Sequence, residues 1–240
     1  DYIFIIDEHM TREIWMQTDF INYVNEKKIK VVVFNFEKIY NAKFKSNIEF
    51  QKRLEEFKNL YQLNSDIDDA EILCKTVINK QLLSKDSQLN FYTKNTKKDK
   101  ILFLGQSKQI KWNFKVRNPY YEERHKTLMD FKKIYPNLKI SINKSLTYKK
   151  YLENIASYKY ILNPLGTGNF INIRFYEALE LNSIPIQQIT DKMQYWYSEL
   201  DYSIKFTNAK NLNLNDFKFK KYSYYLEDYF QDINLGNLIG

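Results

Sequence analysis

Residues 158–186 concentrate the side chains of this chain that are best suited to chemistry. The chain has only 5 Gly in 240 residues, and two of them, Gly166 and Gly168, share one loop between a strand pattern and a helix pattern. Glycine lets a backbone approach a ligand closely. A helix that starts just behind such a loop turns amide N–H groups and the positive end of its dipole towards that ligand. The natural ligand is a phosphate, and Gly166, Thr167, Gly168 and Asn169 are expected to meet it through the backbone. Arg174 and Glu177 follow at i and i+3 and share one helix face. Arg174 is expected to reach the same phosphates; the alternative is a surface ion pair with Glu177 or Glu180.

Hydrophobic patterning sets out the elements that must position these groups. Residues 2–6 form an apolar run that ends in Asp7, Glu8 and His9, and 13–25 read as a helix. Residues 30–36 are β-branched and continuous, as in a central parallel strand. Ile48, Leu54, Phe57 and Leu60 have helical spacing over 46–60, and 64–69 are turn-like. Asp66, Asp68 and Asp69 are read as acids at a helix start rather than as a metal-binding triplet. Residues 84–100 are polar and lysine-rich, a candidate linker between domains 1–95 and 96–240. Strands are then expected at 101–104, 138–142, 160–162 and 184–187, with helices at 121–134, 147–156 (capped by Thr147), 171–181, 190–200 and 221–234. This alternation predicts α/β architecture with parallel, doubly wound sheets. In such sheets the loops at 105–118, 142–147 and 164–172 all follow strands and can converge on one crevice.

Pro164, Gly166, Gly168, Arg174, Glu177, Ala178, Leu179, Ile184 and Pro185 resemble the nucleotide-sugar segment of GT-B glycosyltransferases, most closely that of the exostosin-like family. The resemblance covers about thirty residues and departs from the family pattern at Asn182-Ser183. It implies two Rossmann-like lobes, the N-terminal one incomplete in this chain. It also implies a nucleoside-diphosphate sugar donor, no required cofactor or metal, and inversion at the sugar carbon. By this resemblance Glu177 accepts hydrogen bonds from ribose hydroxyls. Gly105, Gln106, Ser107 and Lys108 match the loop where a basic residue meets the diphosphate. Lys108, Lys111, Lys115, Arg117 and Arg124 compete for that role, with Arg117 and Arg124 favoured for bidentate contact. Asp7, Glu8 and His9, at the end of the first strand, are the candidate general base. The loop up to Tyr148 is expected to read the nucleobase.

Composition limits the alternatives. No apolar run is long enough to span a membrane, and a single cysteine, Cys74, excludes an internal disulfide and suits a reducing, cytoplasmic setting. The first residue, Asp1, already lies in a strand pattern, which suggests a preceding segment. The net charge is +8, and between Lys94 and Lys126 ten Lys or Arg face three acids. That segment also carries Trp112, Phe114, Tyr120 and Tyr121. Such a basic, aromatic field attracts a sugar-nucleotide diphosphate or a nucleic-acid backbone. Three functions are therefore weighed. The first is sugar transfer to a glycan or small-molecule hydroxyl, the second is transfer to a hydroxymethylated base in DNA, and the third is noncatalytic nucleotide binding.

Overall fold

Three consecutive valines decide the first unit. Val31, Val32 and Val33 are all buried, so strand β2 (Lys30–Asn35) needs cover on both faces and becomes the central strand. It pairs in parallel with β1 (Tyr2–Asp7) on one side and β3 (Leu60–Asn64) on the other. Helix α1 (Thr18–Glu26) places Ile21 and Val24 against Val31 and Val33, where Leu54 and Phe57 join them. The helical spacing read over 46–60 thus identified two core residues, but Leu60 starts a strand. A five-residue strand with apolar residues only at positions 60, 61 and 63 leaves too short a pattern to separate from the preceding helical spacing.

The computed structural model describes residues 1–7, 16–35, 52–64, 92–93, 96–105, 119–141, 146–166, 170–212 and 214. They fall into two compact units, drawn from Asp1–Asn79 and from Lys80–Ser223.

The second unit is a five-stranded, all-parallel sheet of β4 (Lys98–Leu104), β5 (Lys139–Ser141), β6 (Tyr158–Asn163), β7 (Ile184–Gln188) and β8 (Ile204–Phe206). The spatial order is β5-β4-β6-β7-β8. Side chains of β4 alternate between two cores. Ile101 and Phe103 pack with Leu128 and Phe131 of α2 (Pro119–Ile134). Leu102 and Leu104 pack with Leu152 and Ile155 of α3 (Tyr148–Ala156) and Ala178 of α4 (Ile173–Glu180). Helices therefore cover both faces, as the expected doubly wound α/β architecture requires. After β7 the chain forms α5 (Asp191–Trp196) and a 3-10 turn (Ser198–Tyr202) before β8, a strand of three residues that the sequence pattern did not announce.

One local expectation is corrected. Residues 98–100, assigned above to a linker, are the start of β4. Lys97, just before them, donates its Nζ to the carbonyls of Ala156 (2.7 Å) and Leu181 (2.9 Å) and to Ser183 Oγ (3.1 Å). Its ammonium neutralises carbonyls at the ends of α3 and α4, where the helix dipoles favour a cation. At 182–183 the chain builds a full helix stop. Asn182 takes φ +57°, its N–H bonds to Leu179 O, and the Ser183 N–H bonds to Ala178 O. Among the described residues no helix is long and apolar enough to cross a membrane.

Candidate functional site

The strand order reverses direction at β4, which has β5 on one side and β6 on the other. The carboxyl ends of β4 and β6 thus flank the position where doubly wound sheets open a ligand crevice. Two arginines from two different helices reach this position.

Arg174, in the first turn of α4, lays its guanidinium over the Phe103 ring, 5.1 Å from the centroid, and its Nη1 donates to Asn163 Oδ1 (3.1 Å). Gly105, immediately after β4, makes room for it. Gly105 adopts φ +146°, and a Cβ there would lie 2.6 Å from Arg174 Nη2. The conformation favours glycine, and a larger residue would also displace the end of the Arg174 side chain. The Nε of Arg174 is buried and has no hydrogen-bond partner among the described residues.

Arg124, on α2, donates its Nε to Leu165 O (3.1 Å) and stacks over Tyr121 at 5.0 Å. Its Nη2 lies 3.5 Å from where a Cβ on Gly166 would sit. Each site glycine thus adjoins one guanidinium. Burial disfavours the charge on Arg124, and the charge of Arg174 disfavours it further. An arginine keeps its proton, so the pair sets two positive charges close together, a field that attracts an anion.

A buried polar chain holds the loop that carries these groups. Asn163, the last residue of β6, donates its side-chain amide to Gln187 Oε1, and Gln187 Nε2 donates to Gln188 O (2.6 Å). Gln188 Oε1 accepts from Leu165 N (3.1 Å). The Leu165 peptide is therefore gripped from both sides, by Gln188 and by Arg124. Asn172 caps α4 by accepting from Arg174 N (3.2 Å). The expectation of open N–H groups at this helix start is corrected at that position, because the Arg174 amide is already taken.

Glu177 is 2 % exposed, so it is neither a surface carboxylate nor, with Arg174, a surface ion pair. Its Oε1 accepts from Tyr148 OH (3.0 Å) and its Oε2 from Tyr151 OH (2.6 Å). Burial pushes the Glu177 carboxyl up; the two tyrosine hydroxyls and the charge of Arg174 pull the other way. Burial likewise pushes the Tyr151 hydroxyl up, and the charge of Arg174 acts in the opposite direction. Tyr148 and Tyr151 stack at 6.0 Å, and α3, capped by Thr147 as expected, presents both.

Of the residues singled out from sequence, Gly105, Arg124, Gly166 and Arg174 come together, with Glu177 behind Arg174. Gln106, Ser107, Lys108, Lys111, Trp112, Phe114, Lys115, Arg117, Thr167, Gly168 and Asn169 lie outside the described residues, as do Glu8, His9, Asp66, Asp68 and Asp69. Asp7 ends β1 in the other unit. Asn163, Gln187, Gln188 and Tyr151 were not singled out. The only available signal was polar residues ending otherwise apolar strands, and it gains meaning only once β6 and β7 are known to be neighbours. Among the described residues no group of three or more His, Cys, Asp or Glu is placed to hold a metal. Comparison with family models, curated proteins and solved structures finds no match.

Proposed function

We propose that this chain is a metal-independent glycosyltransferase of the GT-B type, using a nucleoside-diphosphate sugar. The single observation that carries the proposal is the pair of like-charged guanidiniums, Arg124 and Arg174, each beside a glycine at the strand-order reversal. Two arginines suit the two phosphates of a leaving diphosphate, and a rigid pair stabilises charge as it develops there. In the reaction the acceptor hydroxyl oxygen bonds to the anomeric carbon as that carbon's bond to the diphosphate oxygen breaks. The bonding electrons leave with the diphosphate, towards Arg124 and Arg174. The acceptor proton passes to a base, for which Asp7, Glu8 and His9 remain the proposed residues. The acceptor is a glycan or small-molecule hydroxyl.

The test is a thermal-shift screen with UDP-, GDP-, ADP-, CMP- and dTDP-sugars, since a ligand that binds only the folded chain raises its melting temperature. One nucleotide class should stabilise the protein, and Arg124→Gln or Arg174→Gln should remove most of that shift. Binding without turnover on any glycan, small-molecule or hydroxymethylated-DNA acceptor would leave a noncatalytic nucleotide-binding module. No shift with any nucleotide sugar or with pyrophosphate would end the proposal.

A further inference from the structure

Arg174 and Glu177 occupy one face of a short helix at i and i+3, the spacing at which opposite charges ordinarily pair. They are close enough to feel each other's charge. Yet Arg174 points Nη1 at Asn163 and rests on Phe103, while both oxygens of Glu177 accept tyrosine hydroxyls. Tyr151 donates to Glu177 at 2.6 Å and is close enough to Arg174 to feel its charge. A buried carboxylate without hydrogen-bond donors would take the nearest cation, because an unsatisfied charge in that position is costly.

We infer that Tyr148 and Tyr151 are positioning residues that satisfy Glu177 and so keep Arg174 from being captured by it, leaving the guanidinium available to a phosphate. The inference rests on the phosphate-binding reading above, and it gives Glu177 a role different from the one the family resemblance implies. With each oxygen engaged by a tyrosine and only 2 % of the residue exposed, Glu177 is a buried counter-charge rather than an open acceptor for a ribose diol. The arrangement has a functional logic. Glu177 offsets part of the positive charge of Arg174. The tyrosines keep that offset from becoming a closed ion pair. Tyr148 stacks on Tyr151, which holds both hydroxyls in register with the carboxylate.

The experiment is a rescue series on the full chain at neutral pH, read by calorimetric titration with inorganic pyrophosphate. It is also read by the 15N signal of the Arg174 side chain, which needs no ligand. Tyr148→Phe with Tyr151→Phe removes both hydroxyls and keeps both rings. Affinity for pyrophosphate should fall about tenfold as Glu177 closes on Arg174, and the Arg174 Nε signal should move. Adding Glu177→Gln removes the capturing charge, and both readouts should return towards wild type. An unfolding curve and circular dichroism spectrum of the double variant establish directly that it is folded. Glu177→Gln alone should bind pyrophosphate at least as well as wild type, with an unchanged preference for UDP, GDP or ADP over the 2′-deoxy counterpart. An Arg174 signal that ignores the tyrosine changes, or a loss that Glu177→Gln does not repair, would overturn the inference. So would a Glu177→Gln variant that selectively loses the ribose preference. If wild type binds no pyrophosphate but the Arg174 signal still follows the series, the phosphate reading fails and the tyrosine arrangement stands.

Discussion

A buried carboxylate beside Arg174 gives Glu177 a measurable signature. Burial raises its proton affinity, against the pull of Tyr151, Tyr148 and Arg174. The folded chain therefore keeps this proton to a higher pH than the unfolded chain does. Between the ordinary carboxylate range and the raised folded value, the unfolded state binds fewer protons, so stability falls as pH rises through that window. Glu177→Gln should abolish this fall, seen as a flatter urea midpoint as pH rises from the ordinary carboxylate range. A wild-type midpoint that rises steadily across the same window, with the variant parallel to it, would contradict the assignment. Arg174, Glu177 and both site glycines could be picked out from residue type and spacing alone. Their partners could not. Glu177 looks like a surface helix acid until Tyr148 and Tyr151, more than 25 residues away, are folded onto it.

Asn182 shows how one element ends and where sequence reading was weakest. The family pattern that the chain resembles places other residues here, yet Asn182 and Ser183 satisfy the helix end completely. Asparagine tolerates the left-handed conformation that Asn182 adopts at φ +57°, and glycine tolerates it better. Asn182→Gly should therefore leave the melting temperature unchanged or slightly raised. Asn182→Val should cost about 1–2 kcal/mol in denaturant unfolding, since a β-branched side chain is strained there. Equal stability of the two variants would argue against the left-handed stop. The elements themselves were largely legible. β2, β4, β6 and β7 each contain a run of at least three consecutive apolar residues, and Thr147 announced α3. β3 and β8 were missed because five and three residues carry too little periodicity. The start of β4 was missed because Lys98, Asp99 and Lys100 are polar and exposed, and only pairing with β6 makes them strand.

At the level of the whole chain, every described residue of the proposed phosphate site lies within Lys80–Ser223. A fragment of residues 80–223 is expected to fold and to bind pyrophosphate with near wild-type affinity by calorimetry. It should not transfer sugar, because the proposed base residues Asp7, Glu8 and His9 belong to the other unit. Transfer by the fragment would remove those three residues from the mechanism; loss of pyrophosphate binding would mean that the site needs the first unit. From sequence alone came the α/β class, the glycine loops, Arg174 and Glu177, because these follow from local periodicity and from backbone freedom. Only tertiary structure could add Arg124 to Arg174, engage Glu177 with two tyrosines and tie Asn163 to Gln187. Those pairings depend on which strands are neighbours, and in a parallel sheet neighbouring strands are separated by whole helices, beyond the reach of any local pattern.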